Sequence, residues 1–497
     1  MIAPHHKGNS KAEPVNYRPI ALTSHIIKIF EKVIRNHLVV HLEENKLFNQ
    51  NQHGFRAGRS CLSQLLEHFD SLLDILQTGR NADVIYLDYS KAFDKVDSRI
   101  VLAKLLDLGV SGRVHDWIEA FLTNRTQFVT VNGHVSDPRP VISGVPQGSV
   151  LGPLIFLILV GDIENDISRG TTVRSFADDT RATRGVTTQA DTNCLQEDLN
   201  KIYAWTEKAN MKLNDDKFEL LRYGNNQQLK ENTTYTTPTG KPIKVKSEVK
   251  DLGVLISDDN KFDKQISSVI KKAKDMASWV FRTFATRARV PMLTLYKSLV
   301  LPILEYCSVL WCPLTVGNIQ KLEAVQWSFL RKITGTRNMN YWETLKELKM
   351  YSLERRRERY RIIYIWKVLE QIVPNINDGI QSYNNPRLGR KCIIPTYNRS
   401  KDSSFTAHAP KLFNALPKSV RSASGISAEC FKKALDARLT HIPDEPQLPG
   451  YTQCRRAPTN SIISMIKLEH NIESHYPNYP GIPAQHMARG NCNNTVA

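Results

Sequence analysis

Asp88 closes the short apolar run DVIYLD (83–88), which reads as a buried strand ending in an acid. Asp178 and Asp179 stand together in RSFADDTRAT, which reads as strand, tight acidic turn, strand. A fold that satisfies both must carry carboxylates to the ends of buried strands, which is costly unless a cation offsets the charge. Two adjacent acids in a hairpin, joined in space by a third from a neighbouring strand, make a compact oxygen cage for a divalent metal. Mg2+ is held in this manner, by a few carboxylates plus substrate phosphates. Taken alone, DD in a turn is ordinary turn chemistry. The strand-ending Asp88 and the basic chain around it favour the metal.

That basic character is large. Lys and Arg number 67 against 49 Asp and Glu, a net +18, which suggests a polyanionic partner. With 41% hydrophobic and 23% charged residues the 497-residue chain is ordinary globular material, which excludes wholesale disorder. The aliphatic run at 154–160 is far short of the roughly 20 residues a spanning helix needs. MIAPHHKGNS has no apolar stretch of the kind a secretory signal requires. The 8 cysteines are scattered without CxxC pairs, so they read as reduced thiols of an intracellular protein, nuclear and cytoplasmic, rather than as a zinc site or a disulfide framework.

Periodicity predicts helices over 23–47 (Ser24 at the cap), 61–76, 98–107, 112–122, 151–166 and 189–210. Strands are predicted at 83–88, 217–223 and, as two short pieces, within 243–256, with a hairpin turning at Asn132-Gly133. Strands and helices thus alternate to about residue 256, which indicates an α+β sheet domain. The pattern is almost wholly helical from 258 to 372. From 373 the chain is rich in Pro, Asn and Ser, and the tail after 450 is expected to be loosely ordered.

YLDYSKAFDKVD (86–97), SGVPQGSVLGPLIFLILVGDI (143–163) and FADDT (176–180) resemble, in this order and spacing, the palm motifs of reverse transcriptases. They are most similar to those of non-LTR retrotransposons of the LINE-like, jockey type. NYRPIAL (16–22), QHGFRAGRS (52–60), LNDDKFELL (213–221) and DLGVLI (251–256) extend the match. The resemblance implies a right-hand polymerase: fingers and palm over 1–257, a helical thumb over 258–372, and a partly disordered C-terminal region over 373–497. Because NYRPI comes so early, the front of the fingers reads as truncated.

The same resemblance implies an RNA-directed DNA polymerase that extends a primer 3′-OH on an RNA template with dNTPs. Asp88, Asp178 and Asp179 would be its catalytic residues and hold two Mg2+ ions, with Mn2+ able to substitute. Phe93 would stand beneath the sugar and exclude a ribose 2′-OH. Gln147 would pack on the incoming nucleotide, Gly148 would allow close backbone approach, and Arg56 would contact the triphosphate. Lys217 would donate a proton to pyrophosphate, and Leu252 and Gly253 would form the primer grip. RNA template, DNA primer and dNTPs are the implied partners, with the primer's nick made by an endonuclease on another polypeptide.

Asp94, Lys95 and Asp97 are expected to cap and solvate the following helix. Arg56, Arg59, Lys271, Lys272, Lys274, Arg355, Arg356, Arg357, Arg359 and Arg361 are candidates for phosphate-backbone contacts. The rival reading is a catalytically inactive or domesticated retrotransposon fragment that binds nucleic acid without copying it.

Overall fold

The computed structural model describes residues 1–313, 315–396, 404–445 and 460–466. The chain opens with a hairpin, β1 (Ile2–His6) against β2 (Tyr17–Ala21), followed by α1 (His25–Glu44), whose first turn Ser24 caps by accepting from the Ile27 amide. α2 (Cys61–Gln77) starts at a capping box made by Ser60 and Ser63. β3 (Asn81–Leu87), α3 (Ser98–Asp107) and α4 (Arg113–Leu122) follow. Two small ribbons come next, β4 (Arg125–Gln127) with β7 (Arg139–Val141), and β5 (Thr130–Val131) with β6 (His134–Val135). The inner one turns at Asn132-Gly133, where both residues have positive φ, as a two-residue hairpin loop requires.

α5 (Gly152–Val160) is buried almost all round. It stops short of the 166 expected from the sequence, because the chain turns at Gly161 and Asp162 is held by Lys104 and Trp205. β8 (Thr171–Phe176), β9 (Asp179–Val186), α6 (Gln189–Lys208), β10 (Glu219–Tyr223), α7 (Gln227–Glu231) and β11 (Lys244–Lys246) complete the sheet region. The central sheet has order β11-β10-β3-β9-β8, antiparallel except for the β10–β11 pair. Alternation sends Ile85, Leu87 and Leu220 to one face, against α3, α5 and α6. Val84 and Leu221 go to the other face, against α2 and the helices that follow. A separate hairpin, β12 (Glu248–Asp251) and β13 (Val254–Ser257), ends the β-containing part.

The helices then take over: α8 (Asp263–Thr283), α9 (Arg289–Leu295), α10 (Leu301–Glu305), α11 (Val316–Leu330), α12 (Tyr341–Glu347) and α13 (Leu353–Leu369). Beyond residue 373 the described chain is packed rather than loose. It forms the hairpin β14 (Ser382–Asn385) and β15 (Gly389–Cys392), then α14 (Phe405–Ala415), α15 (Lys418–Arg421) and α16 (Ala428–Leu439). Phe405, Leu412, Phe413, Phe431 and Leu435 are buried in the same apolar cluster as α2, α8 and α13. The tail after 450, expected to be loosely ordered, lies outside the described residues apart from 460–466. Among the described residues no helix is long and apolar enough to cross a membrane.

This packing corrects the reading of the arginine-rich helix α13. Arg355, Arg357 and Arg361 are fully buried. Arg355 donates to the carbonyls of Ile442, Pro443 and Asn460, and Arg361 to that of Val309. Arg356 and Arg359 are held by Glu305 and Asp436. Arg355 and Arg359 thus fasten the C-terminal segment, and Arg356 and Arg361 the 305–309 segment, instead of facing a nucleic-acid backbone. Lys271, Lys272 and Lys274 on α8 do remain exposed. The stripe on α1 is also turned differently from a core-facing helix. Ile26, Ile29, Phe30 and Val33 face solvent, while buried Glu31 accepts from the Val150 and Leu151 amides at the start of α5.

Candidate active site

β3 and β9 are paired so that Leu87 lies opposite Thr180, and Asp88, the residue directly after β3, shares a cleft with Asp179 at the start of β9. β8 and β9 close with Phe176 opposite Asp179, leaving Ala177 and Asp178 as the two turn residues. Ala177 has φ +57°, a left-handed conformation that must be held from outside. Gln52 holds it: the Ala177 amide donates to Gln52 Oε1 at 2.8 Å, and Gln52 Nε2 donates to the Ala177 carbonyl at 3.2 Å. Gly54 lies against the same turn, where a Cβ would stand 2.4 Å from the Ala177 nitrogen. Residues 52–54 of QHGF thus buttress the acidic turn, a role that the motif's basic, Gly-rich appearance did not reveal.

Burial raises the pKa of Asp178, with the Asp88 charge adding to it. Burial also raises that of Asp179, with Asp178 and Asp88 contributing. The three carboxylates therefore sense one another. Asp88 Oδ2 accepts from Lys217 Nζ at 3.0 Å, so the sequence-predicted lysine is at the site. It stands in a 3-10 turn (Asp215–Lys217) rather than at a strand start. Asp88, Asp179, Lys217 and Leu252 line one cleft of about 390 Å3, together with Lys244, Lys246 and Lys250. Among the described residues no group of three or more His, Cys, Asp or Glu side chains closes into a metal cage, so the trio is adjacent without being preassembled.

The remaining predicted residues fall into two groups. Leu252 and Gly253 form the β12–β13 turn with φ +44° and +84°, and their hairpin borders the cleft. Phe93 stacks on Phe156, centroids 4.6 Å apart, with Phe55 edge-on at 6.1 Å. Gln147 donates to Asp94 Oδ1 at 2.7 Å. Asp94 is thus a clasp for the VPQG loop and not a helix cap, whereas Asp97 does cap α3, accepting from the Arg99 amide. Gly148, with φ +103°, lies against the Ala21 carbonyl of β2, so its close approach is to protein backbone.

Arg56 is turned away from the acids. Its guanidinium donates to both Glu43 oxygens and to the Asn49 carbonyl, lies 4.7 Å over Phe48, and is only 5% exposed. From the first hairpin, the charge of Arg18 partly offsets the rise in the Asp178 pKa. Arg18 lies in NYRPI, which the sequence reading used only as a family marker.

Residues 6–256 match the family model described as reverse transcriptase (RNA-dependent DNA polymerase). The chain is 26% identical over 349 residues to the RNA-directed DNA polymerase from mobile element jockey of Drosophila melanogaster, covering 67% of this chain and 37% of that protein. It is 26% identical over 341 residues to the probable RNA-directed DNA polymerase from transposon X-element of the same organism, again covering 67% and 37%. For the probable enzyme from transposon BS the figures are 24% over 380 residues, 72% and 41%. The chain thus spans well under half the length of these relatives. A solved structure of apo telomerase from Candida Tropicalis overlaps 49% of this chain and 51% of that one, with a TM-score of 0.35 and 12% identity, too slight a likeness to carry an argument. With the family match running through just over half of its residues, across the two strand ends and the acidic turn described above, this chain belongs to the reverse transcriptase (RNA-dependent DNA polymerase) family.

Proposed function

We propose that this chain extends a primer 3′-OH along an RNA template with dNTPs, as the polymerase of a non-LTR retrotransposon. The observation that carries this reading is that Asp88, directly after β3, and Asp179, at the start of the paired β9, line one open, lysine-rich cleft, with Asp178 in the adjoining turn. RNA template, DNA primer and dNTPs are the partners of the reading, and the nick that creates the primer end is assigned to an endonuclease on another polypeptide.

Two Mg2+ ions, replaceable by Mn2+, are the proposed cofactors, held by Asp88, Asp178 and Asp179. The donor set suits them: it is all oxygen, and burial with the neighbouring carboxylates disfavours the ionised forms of Asp178 and Asp179 until a cation relieves the charge. Mg2+ is normally bound by one or two carboxylates plus substrate phosphates, so an unclosed trio fits ions that arrive with the nucleotide. When bound, such a pair activates the 3′-OH and stabilises the leaving pyrophosphate.

The chain's own residues supply the positioning. Phe93, braced on Phe156, is assigned the position beneath the sugar that would exclude a 2′-OH. Asp94 holds the Gln147 amide, which fixes the loop that packs on the nucleotide. Lys217 keeps Asp88 oriented and stands ready to protonate pyrophosphate. Arg56, the residue assigned to the triphosphate, is held by Glu43 and would have to leave it to make that contact. Catalysis of this kind rests on orientation and charge stabilisation without a covalent intermediate.

Purified protein given poly(rA), oligo(dT), dTTP and Mg2+ should incorporate label, and Asp178→Asn should not. Absent incorporation by wild type, or equal incorporation by the variant, rejects the reading. Salt-dependent duplex binding without incorporation would favour the nucleic-acid-binding fragment instead.

A further inference from the structure

β9 carries Asp179 at its start and Arg181 two residues later, so both side chains leave the same face of the strand. Arg181 is 2% exposed and forms an ion pair with Asp251, itself 7% exposed. Asp251 is the last residue of β12, directly before the Leu252–Gly253 turn. Along β12 the buried positions are Val249 and Asp251, while Glu248 and Lys250 face solvent. A carboxylate therefore occupies a core position that strand alternation would give to an apolar residue.

Stability does not explain that choice. Removing two ions from water costs several kcal/mol each, and well-packed apolar replacements of buried ion pairs are often as stable or more so. The setting is harsher still, because Arg181 lies opposite buried Arg174 in the β8–β9 ladder. What an ion pair adds over apolar contact is a fixed direction and distance between two backbone segments. Here the segments are the strand that bears Asp179 and the hairpin that bears Leu252. A second tie holds the same turn from the helical side: the Tyr306 hydroxyl donates to the Leu252 carbonyl at 2.8 Å. A Cβ on residue 253 would come within 3.2 Å of the Tyr306 ring, so Gly253 lets that ring seat.

We propose that Arg181, Asp251 and Tyr306 are positioning residues that fix the Leu252–Gly253 turn relative to the acidic trio, and so set where a primer end lies against Asp88 and Asp179. The proposal rests on the polymerase reading above for its kinetic consequence and on the hairpin's placement for its physical one. Asp251→Asn and Arg181→Gln each break the tie to β9. The double variant Arg181→Gln/Asp251→Asn leaves no lone buried charge and keeps a side-chain hydrogen bond between the segments. Tyr306→Phe removes a single, partly exposed oxygen and so preserves the fold. Glu370→Gln, which loosens Arg390 far from the cleft, is the control for general destabilisation.

Single-turnover addition of dTTP to oligo(dT) on poly(rA) should slow by about ten- to a hundredfold in Asp251→Asn and Arg181→Gln, the scale expected for misplaced reactants. Tyr306→Phe should slow it less, the double variant should recover most of the rate, and Glu370→Gln should leave it unchanged. Duplex affinity, dominated by phosphate contacts elsewhere, should stay within about threefold throughout. Hydrogen exchange of the 248–257 amides, read on the intact protein without substrate, should quicken in both single variants. Unchanged exchange in that hairpin overturns the proposal even if wild type proves inactive. So does an unchanged extension rate in the single variants, or a rate that falls in step with duplex affinity or equally in Glu370→Gln. An inactive wild type whose hairpin exchange responds as expected sinks the polymerase reading alone.

Discussion

Gly54→Ala is a one-carbon change whose sign discriminates between two physical effects. Gly54 does not have a positive φ, so alanine is free to adopt its backbone conformation. In that situation Gly→Ala ordinarily stabilises by about 0.4–1 kcal/mol through the unfolded chain. Here the added Cβ would lie 2.4 Å from the Ala177 nitrogen, 3.0 Å from its Cα and 3.1 Å from Gln52 Oε1, whereas ordinary contact begins near 3.4 Å. Two of those three atoms are backbone and cannot swing away. Either the 52–54 segment or the acidic turn must therefore yield by about 1 Å, a displacement that costs an enzyme on the order of a hundredfold in rate. Overpacking of this kind also destabilises by about 1–3 kcal/mol, which reverses the usual sign. Poly(rA)-directed incorporation and the thermal midpoint, measured on the same preparation, test both parts. A variant that keeps its rate within about threefold of wild type, where misplacement predicts far more, would refute the idea that residues 52–54 hold the carboxylates in place. A raised midpoint would refute the steric reading itself.

The raised pKa values of Asp178 and Asp179 set a pH dependence. A carboxyl whose folded pKa lies above its unfolded value favours folding while protonated. That contribution is complete below the ordinary aspartate value and is lost as pH rises through the higher folded value. At neutral pH both therefore weigh against the fold, so Asp178→Asn should raise the thermal midpoint while abolishing incorporation; a lowered midpoint contradicts this. Mg2+ should raise the wild-type midpoint through binding to the native state and fail to do so in Asp178→Asn, and an equal shift in both would place the ion elsewhere. Arg355→Ala should destabilise by about 3 kcal/mol, because it strips the carbonyls of Ile442, Pro443 and Asn460 of their donor, and should leave duplex affinity unchanged. The triple variant Lys271→Ala/Lys272→Ala/Lys274→Ala should do the reverse, weakening duplex binding and lowering its salt slope by about 3. A loss of affinity in Arg355→Ala, or none in the triple variant, would restore α13 as the nucleic-acid face.

Residues whose role follows from local chain geometry were readable before the fold was seen. Asp88 just past a strand end, Asp178 in a tight turn with Asp179 opening the strand that follows, Asn132-Gly133 at a hairpin tip and Ser24 at a helix start all obey rules of a few residues' reach. Lys217, which the motif singles out, donates to Asp88 from a short turn rather than from the strand start that periodicity predicts. Residues whose role depends on what returns to cover them were not readable. Arg56 looked like a free guanidinium until Glu43 of α1 was found beneath it. Asp94 looked like a cap until the Gln147 loop closed over it.

Taken by itself, the order of residues determined the alternation of strands and helices, the acids at the strand ends and the excess of positive charge, because each is a property of neighbours along the chain. Which face of α1 meets the core, which arginines of α13 are buried and what steadies the Ala177 turn were decided only in three dimensions. The physical reason is that burial belongs to pairs of segments. Arg355 is an exposed cation on an isolated helix, and it becomes a buried donor only when Ile442, Pro443 and Asn460, 87 to 105 positions later, bring their carbonyls to it.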